Sequence, residues 1–182
     1  ARKCKINRVT IQEERNFLNN HHLQNYTTSQ VAYGLYLNNE LISIMTFGRP
    51  RFNTTVQWEL IRYCTGNNKA IIGGAEKLFA HFIREYDPTS IVSYCDISKF
   101  TGNKYLKMGF KTTVNDVTLP NYKWLKPGVS GTDVLTRYQT QKQRLLELGY
   151  GEYGNTEDEI MKNMGYVKVY DSGNMRFMWN RD

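Results

Sequence analysis

The sequence predicts a mixed α/β domain, and the segment 56–110 carries most of that prediction. It contains the strand-like run VQWELIRYC, the glycine-rich run IIGGAEKLFAHFI, a second strand-like run SIVSYCD, and then TGNKYLKMGF. Glycines stand where the first strand gives way to a helix, and a helix between two strands places them parallel in one sheet. The 182 residues are enough to bury one compact core, so we expect one main domain.

The first third of the chain predicts one helix, one hairpin and a third strand. The run TIQE from Thr10 has the spacing of a capping box and opens a short helix. The runs 31–37 and 40–47 are rich in aromatic and β-branched residues, and the Asn-Asn pair between them tolerates positive φ. We therefore expect a β-hairpin there, followed by a strand over 56–64.

Apolar residues repeat at helical spacing from Gly74 onward. Pro88 ends this helix near residue 87, because proline disfavours helical geometry in the residue before it. A strand over 90–96 follows and is expected to lie parallel to the strand over 56–64. Beyond it the sequence predicts a short helix and two further strands, over 102–108, 110–114 and 122–125.

Turn-forming pairs at Pro127-Gly128 and Ser130-Gly131 predict a domain boundary. We therefore expect a main domain over 1–128 and a C-terminal extension over 129–182. The extension is predicted to contain a helix over 133–148, a helix opened by the Thr156–Glu159 capping box, and a hairpin turned at 171–174.

The charge of the chain is basic, since Lys and Arg outnumber Asp and Glu by 24 to 17 and give a formal net charge of +7. Such an excess favours a polyanionic partner such as nucleic acid, although it also serves plain solubility. The longest apolar runs are too short to cross a bilayer, and the first residues lack the apolar core of a signal peptide. We expect a soluble, cytoplasmic protein that does not bind membranes.

The cysteines and histidines predict neither a disulfide framework nor a metal site. Cys4, Cys64 and Cys95 are odd in number and widely spaced. His21 and His22 are adjacent, so their side chains diverge by about 100° on a helix and face opposite sides on a strand. We therefore expect no bound metal.

The glycine turn before the central helix is a candidate anion site. Gly73, Gly74 and Ala75 let the backbone approach a ligand where the first N–H groups of the helix have no partner. This part of the sequence resembles the GNAT acyltransferases, in which such a turn holds the pyrophosphate of CoA. Their signature begins with Gln or Arg, whereas Ala70 stands at that position here. The resemblance implies a GNAT-like fold, with a mixed central sheet flanked by helices, and acetyl-CoA as the ligand if the chain is an acyltransferase.

The segment Asn103–Phe110 resembles a later GNAT motif, in which a tyrosine before Gly-Phe commonly protonates the departing CoA thiolate. Tyr105 occupies that position, and Glu59 stands where a carboxylate could deprotonate an amine. The alternative is structural. In that interpretation Tyr105 packs its helix onto the sheet, and Glu59 pairs with Arg62 or Arg51.

Basic and aromatic residues alternate in several segments, a pattern that suits phosphate contacts and base stacking. Arg and Gln also recur over 137–144, which we interpret as a recognition helix because Arg reads guanine and Gln reads adenine in the major groove. The alternative is an ordinary solvated helix face. The residues predicted to contact DNA are Arg49, Arg51, Lys99, Lys104, Arg137, Gln141, Lys142 and Arg144.

Many short segments, among them NHHLQ, LISIMTFGRPRF and RYQTQKQRLLELGY, resemble the region that follows the nuclease domain in phage homing endonucleases of the Vsr-like group. The resemblance implies a DNA-binding domain without a cofactor, which positions an attached or upstream nuclease on double-stranded DNA in a phage-infected bacterial cell. The central block also resembles Mom-type phage DNA-modifying acyltransferases. We expect the DNA-binding function, with an acyl-CoA-dependent N-acyltransferase of the Mom-like type as the alternative.

Overall fold

The computed structural model describes residues 1–66, 70–128 and 134–181. These residues form two compact units. The first unit takes in Ala1–Cys95, Phe100–Val117 and the segment from Met175 onward, and the second takes in Asp96–Lys99 and Thr118–Asn174. The predicted domain boundary after residue 128 stays a prediction, and its Ser130-Gly131 pair lies outside the described residues.

The first unit is built on a six-stranded sheet. Its strands are β1 (Lys5–Arg8), β2 (Val31–Leu37), β3 (Glu40–Gly48), β4 (Trp58–Thr65), β5 (Ser90–Asp96) and β9 (Asn174–Asn180). They lie in the order β1-β2-β3-β4-β5-β9, and β4 runs antiparallel to β3 but parallel to β5. The predicted mixed sheet is therefore confirmed, together with the parallel pair on either side of a helix.

The hairpin of β2 and β3 forms where the sequence predicts it. Asn38 and Asn39 at its turn have φ of 50° and 64°, in the left-handed region that asparagine tolerates better than most residues. The two strands pair from Val31 with Phe47 to Leu37 with Glu40, with a register shift near Tyr36.

Three helices belong to the first unit: α1 (Ile11–His21), α2 (Gly74–Tyr86) and the short α3 (Asn103–Lys107). The capping box predicted at Thr10 opens α1. Neighbouring residues of β3 belong to different cores, since Ile44 packs with α1 whereas Met45 packs with α2. Because successive side chains of a strand face opposite sides, α1 and α2 cover the two faces of the sheet.

The larger core lies between α2 and the sheet. Phe82 of α2 is fully buried and stacks on Phe47 of β3, with ring centroids 3.6 Å apart. Leu60 of β4 and Leu78 of α2 are buried in the same cluster. Burying each of these side chains stabilises the unit by about 1.5–3 kcal/mol relative to leaving it in water. This packing fixes β4 and the start of α2 against each other.

The second unit contains a three-stranded sheet in the order β7-β6-β8 and two helices. Its core consists of Trp124, Leu145, Ile160, Met161 and Tyr166. The predicted capping box at Thr156 is confirmed. The elements are β6 (Tyr122–Leu125), β7 (Val134–Thr136), β8 (Val167–Tyr170), α4 (Lys142–Glu147) and α5 (Glu157–Asn163).

The predicted helix over 133–148 is wrong in its first half. Residue 133 lies outside the described residues, Val134–Thr136 is strand β7, and the helix is confined to Lys142–Glu147. The side chain of Gln139 accepts hydrogen bonds from the backbone N–H and the hydroxyl of Thr136, which closes a turn between strand and helix. Non-local pairing with β6 therefore overrides the helical pattern of the sequence.

Two other predicted elements differ from the structure. The strands on either side of 171–174 do not form a hairpin, because β8 pairs with β6 while β9 belongs to the six-stranded sheet. The predicted strand over 110–114 is reduced to a bridge between Lys111 and Met178, followed by a 3₁₀ turn at Val114–Asp116. No helix among the described residues is long and apolar enough to cross a membrane.

Candidate functional site

The backbone pairing between β4 and β5 is short. It comprises two residue pairs, Trp58–Ile91 and Glu59–Val92. One residue further along, the hydroxyl of Ser93 donates to the carbonyl of Leu60 over 2.9 Å, so a side chain takes the place of a backbone bond. The strands continue to Thr65 and Asp96 without further ladder pairs between them in the described residues. An extended chain could add to the free edge of β4 by strand-like hydrogen bonds.

Tyr105 of α3 reaches the position where β4 and β5 part. Its ring stacks on Phe177 with centroids 4.9 Å apart, and its hydroxyl is hydrogen-bonded with Ser93. Burial raises the pKa of Tyr105, against smaller opposing effects of Ser93 and Arg62. The phenol therefore keeps its proton at neutral pH and can donate it.

The first turn of α2 is open at its N-terminal end. Gly73, the residue before the helix, has φ of 69°, and a Cβ added there would meet no atom within 4 Å. Gly74 is tightly packed by contrast, since its Cβ would lie 2.9 Å from the side chain of Ile71. The N–H groups of Ala75 and Glu76 belong to the first turn, where a helix has no acceptor of its own. The use of this turn as an anion site stays a prediction.

Glu59 is buried on β4, with 5% of its surface exposed. Its carboxylate accepts a hydrogen bond of 2.8 Å from the backbone N–H of Arg51. The guanidinium of Arg51 donates instead to the hydroxyl of Thr27 and the carbonyl of Thr28. Glu59 is therefore held by the backbone of the 49–57 loop, and its other lone pairs stay available to a substrate or water.

Arg62 is half-buried on β4 and uses backbone acceptors. Its Nε donates to the carbonyl of Asn25 over 3.4 Å, and one terminal nitrogen donates to the carbonyl of Ile61 over 3.0 Å. Burial lowers the pKa of Arg62, and the charge of Arg51 lowers it further, while the charge of Glu59 raises it. The pKa of Arg62 therefore responds to the charges of both Arg51 and Glu59.

The negative charge that Tyr105 would carry when ionised raises the pKa of Arg62. Arg62 is thus within electrostatic reach of both Glu59 and Tyr105. Burial and the charge of Arg62 lower the pKa of His22 to about 4, so the imidazole is neutral at physiological pH. The assignment of Glu59 as base and Tyr105 as acid stays a prediction.

A cleft of about 200 Å³ adjoins this cluster. Arg51, whose N–H binds Glu59, lines it, and so does Gly48, the ladder partner of Glu59. Thr28, Ser29, Gln30, Arg49 and Ile61 complete its wall. The cleft is small compared with typical ligand pockets, which measure about 300–1,000 Å³.

The residues predicted to contact DNA are distributed over both units. Arg49, Arg51 and Lys104 belong to the first unit, and Lys99, Arg137, Gln141, Lys142 and Arg144 belong to the second. Several of the cations have intramolecular partners. The Nζ of Lys104 lies 4.3 Å from the ring centroid of Tyr63, and Lys99 forms an ion pair of 3.1 Å with Asp96.

The predicted recognition helix over 137–144 is wrong. Arg137 lies in the turn before α4, and its guanidinium lies 5.5 Å from the ring centroid of Tyr122. Thr140 is fully buried and donates to Glu157 over 2.9 Å, so it cannot share a solvated face with Arg144. Gln141 is the residue before α4, and Lys142 begins it.

Sequence reasoning missed Ser93, whose hydroxyl donates to the carbonyl of Leu60 and is hydrogen-bonded with Tyr105. A polar residue in the middle of the strand-like run SIVSYCD was the available signal for Ser93. It also missed the hydrogen bond from the backbone N–H of Arg51 to Glu59, which depends on the folding of the loop after β3 and which no local pattern shows. Among residues 1–66, 70–128 and 134–181, no three His, Cys, Asp or Glu side chains are grouped so that they could hold a metal ion.

No protein-family model matches this sequence, and no curated protein matches it. Solved structures do. A Bacillus subtilis acetyltransferase in complex with CoA superposes with a TM-score of 0.53 at 12% sequence identity, covering 99% of this chain and 100% of that one. A GNAT family acetyltransferase from Elizabethkingia anophelis with acetyl-CoA bound superposes with a TM-score of 0.53 at 15% identity, covering 100% of both chains.

The likeness shows that this chain has the GNAT fold, which confirms the predicted fold class. It contradicts the main functional prediction, that of a DNA-binding domain targeting a homing endonuclease. Both solved structures are acetyltransferases, and neither is a homing endonuclease or a Mom-type enzyme. The comparisons favour the acyltransferase alternative. One neighbour is in complex with CoA and the other has acetyl-CoA bound, which fits the alternative cofactor prediction rather than the main one of no cofactor.

Proposed function

We propose that this protein is an acyl-CoA-dependent N-acyltransferase. The observation that carries the proposal is the hydrogen bond between Tyr105 and Ser93 where the β4–β5 ladder stops after its second residue pair. A protonated phenol buried at a gap in a sheet has no structural necessity, since phenylalanine would pack there without the cost of burying a hydroxyl.

The chain has two features that fit an acyl-CoA substrate. The free edge of β4 offers backbone groups to an extended arm that carries peptide-like amides, as pantetheine does. The open first turn of α2 offers the N–H groups of Ala75 and Glu76 to a pyrophosphate. Gly73 leaves room for the anion, because it has no side chain and a Cβ there would meet nothing. Ala70, in place of the usual Gln or Arg, contributes no side-chain donor.

The chemistry assigns one proton transfer to each of two residues. The thioester supplies an activated acyl carbon. When an amine nitrogen bonds to that carbon and the carbon–sulfur bond breaks, the nitrogen must lose a proton and the sulfur must gain one. Glu59 is the acceptor, since its carboxylate keeps free lone pairs beside Arg51. Tyr105 is the donor, since burial keeps its phenol protonated. The products are an amide and free CoA.

Calorimetry with acetyl-CoA tests the proposal. We expect saturable binding to the wild-type chain, and Gly73→Asp to weaken that binding at least about tenfold, because a carboxylate there repels the pyrophosphate. The matched control is Gly73→Asn, which has nearly the same shape, no charge and the same tolerance of positive φ. Equal binding by the two variants would remove the α2 turn from the site, and no heat at millimolar acetyl-CoA would exclude the proposed function.

A second measurement addresses the acid. Tyr105→Phe keeps the ring on Phe177 and removes only the hydroxyl, so we expect acetyl-CoA binding to persist while release of free CoA thiol in the presence of an amine falls about 100-fold. Undiminished thiol release by this variant would rule out Tyr105 as the proton donor.

A further inference from the structure

We propose that the acceptor amine carries an aromatic ring, which packs on the exposed ring of Phe52 while the amine nitrogen lies at the carboxylate of Glu59. This inference rests on the proposed function for the identity of the reaction, and it names the class of acceptor, an arylalkylamine. The ring preference is a binding property of Phe52 and its neighbours, so it can be measured without acyl transfer.

Glu59 and Tyr94 lie on the same face of the six-stranded sheet. Leu60, the residue after Glu59, belongs to the larger core on the α2 side, and so does Cys95, the residue after Tyr94. Because successive side chains of a strand alternate, Glu59 and Tyr94 both face the other side. Val92, the ladder partner of Glu59, is two residues before Tyr94. The carboxylate and the phenol therefore stand at adjacent positions of neighbouring strands.

The loop before β4 brings Phe52 to the same place. The backbone N–H of Arg51 donates to the carboxylate of Glu59 over 2.8 Å, and Phe52 is the next residue. Its ring contacts the ring of Tyr94 edge to face, with centroids 5.9 Å apart and an angle of 88° between the planes. One hydrogen bond and one ring contact therefore hold Phe52 next to Glu59 and Tyr94.

The ring of Phe52 is open to a ligand. Among the aromatic side chains of the described residues it is the most exposed, at 82%. A single exposed apolar side chain is ordinary on a protein surface. Phe52 differs in its position, because its edge-to-face contact with Tyr94 leaves ring surface free beside a carboxylate that has spare lone pairs.

These groups match the two ends of an arylalkylamine. The carboxylate of Glu59 pairs with the amine, which is a cation at neutral pH until it gives up its proton. The ring of Phe52 offers an apolar surface on which a second ring stacks or packs edge-on, and such a contact is worth more than apolar burial alone. A short alkyl spacer joins the two ends, since Phe52 directly follows the residue that bonds Glu59. An amine without a ring would leave Phe52 in water.

The test compares three primary amines that differ in the group attached to the amino end: phenethylamine, cyclohexylethylamine and n-butylamine. Each is titrated calorimetrically into the full chain at neutral pH, with and without saturating CoA. We expect phenethylamine to bind at least about tenfold more tightly than n-butylamine, because its ring buries apolar surface on Phe52. It should bind about threefold more tightly than cyclohexylethylamine, which is equally bulky but not aromatic.

Variants of Phe52 assign the preference to this ring. Phe52→Leu keeps an apolar side chain without a ring, so we expect the affinity for phenethylamine to fall about fivefold while that for n-butylamine is unaffected. Phe52→Tyr keeps a ring and should retain the wild-type preference. Because the side chain is exposed, both variants should unfold within about 2 °C of the wild type. The matched control is Phe100→Leu, the same change at an exposed phenylalanine between β5 and α3, which should leave the three affinities unchanged.

A further variant ties the ring to the carboxylate. Glu59→Gln removes the charge and keeps an oxygen that can accept from the N–H of Arg51. We expect the three amines to lose affinity by the same factor, about tenfold, because each loses its charge-assisted bond and the ring contact is unaltered. Amine affinities that Glu59→Gln leaves unchanged would place the ring preference at another site and overturn the inference.

Equal affinities for phenethylamine and n-butylamine would overturn it too, and so would cyclohexylethylamine binding as tightly as phenethylamine. A ring preference that survives Phe52→Leu, or that Phe100→Leu reduces equally, would have the same consequence, as would the absence of any amine binding up to tens of millimolar. These outcomes are distinct from failure of the proposed function, which is read from acetyl-CoA binding and thiol release. The titrations without CoA measure the ring preference even if acetyl-CoA does not bind.

Discussion

The two units each contain a carboxylate drawn away from solvent, and the two carboxylates are treated differently. Glu157 in the second unit accepts hydrogen bonds from the hydroxyl of Tyr122, the indole N–H of Trp124 and the hydroxyl of Thr140, all at 2.9 Å. Glu59 in the first unit accepts one hydrogen bond from the described residues, from the N–H of Arg51.

The contrast separates a structural role from a chemical one. A carboxylate whose lone pairs are taken up by three side-chain donors joins strand, turn and helix, and has little capacity left for a ligand. A buried carboxylate with spare lone pairs is costly to the fold unless something else binds there. Glu157 joins the elements of a small core, whereas Glu59 keeps lone pairs that no hydrogen bond among the described residues uses.

The largest expected effect is on catalysis at Glu59. Glu59→Gln keeps an oxygen that can accept from the N–H of Arg51, so we expect the unfolding temperature to change little. Because the amide cannot take a proton, kcat for amine acylation should fall about 100-fold or more. Steady-state thiol-release assays measure it, with the exposed Glu85→Gln on α2 as control. A kcat within threefold of wild type would show that Glu59 is not the proton acceptor and would remove the contrast with Glu157.

The next largest effect is on stability at Glu157. Glu157→Ala leaves the buried donors of Trp124 and Thr140 without their acceptor, so we expect the free energy of unfolding to fall by about 3 kcal/mol. Urea titration followed by circular dichroism measures the change. Glu152→Ala, at an exposed carboxylate of the same unit, should change it by less than about 0.5 kcal/mol. Similar losses for both variants would contradict the structural role.

A third variant tests how tightly the first unit holds its proton donor. Gly102 precedes α3 with φ of 74°, and a Cβ there would lie 2.2 Å from the buried ring of Phe177, on which Tyr105 stacks. We expect Gly102→Ala to destabilise the unit by about 2 kcal/mol, from overpacking and backbone strain together. Gly149→Ala has a similar φ of 86° and open space, so it isolates the strain, at about 1 kcal/mol. If thermal unfolding shows the two losses to be equal, the contact with Phe177 does not matter.

The smallest effect is a pH dependence at His22. Its pKa is lowered from 6.5 to about 4, first by burial and then by Arg62. The unfolded chain therefore binds the proton more tightly, and stability that is complete above pH 6.5 is lost as the pH falls toward 4. After allowance for solvent screening we expect about 1–2 kcal/mol. His22→Gln should remove that part of the difference between urea titrations at pH 7 and pH 4.5. Parallel pH profiles for wild type and variant would show that His22 is not the group responsible.

The parts of the fold that the sequence predicts correctly are those with local signals. The capping boxes at Thr10 and Thr156, the Asn-Asn turn and the strand Ser90–Asp96 are each set by neighbouring residues. The errors lie where a distant partner decides. The strand Val134–Thr136 forms because β6 pairs with it, and the strands around 171–174 join different sheets for the same reason.

The candidate site shows the same division. Gly73, Glu59 and Tyr105 stand at spacings that a sequence displays, and their roles in acyl transfer stay a prediction. The DNA-contact interpretation of 137–144 depended on a helical period that Thr140 breaks by facing inward to Glu157. The hydrogen bond from the backbone N–H of Arg51 to Glu59 could not be predicted, since it depends on how the loop after β3 folds.

The early end of the β4–β5 ladder has a consequence for the exchange of amide hydrogens with solvent. Amides on the unpaired side of β4 beyond Glu59 should exchange faster than those facing β3, although both sides belong to one strand in the middle of a sheet. A ligand that lies along this edge would slow the fast set alone. The centre of the molecule, rather than its periphery, would then give the clearest record of occupancy.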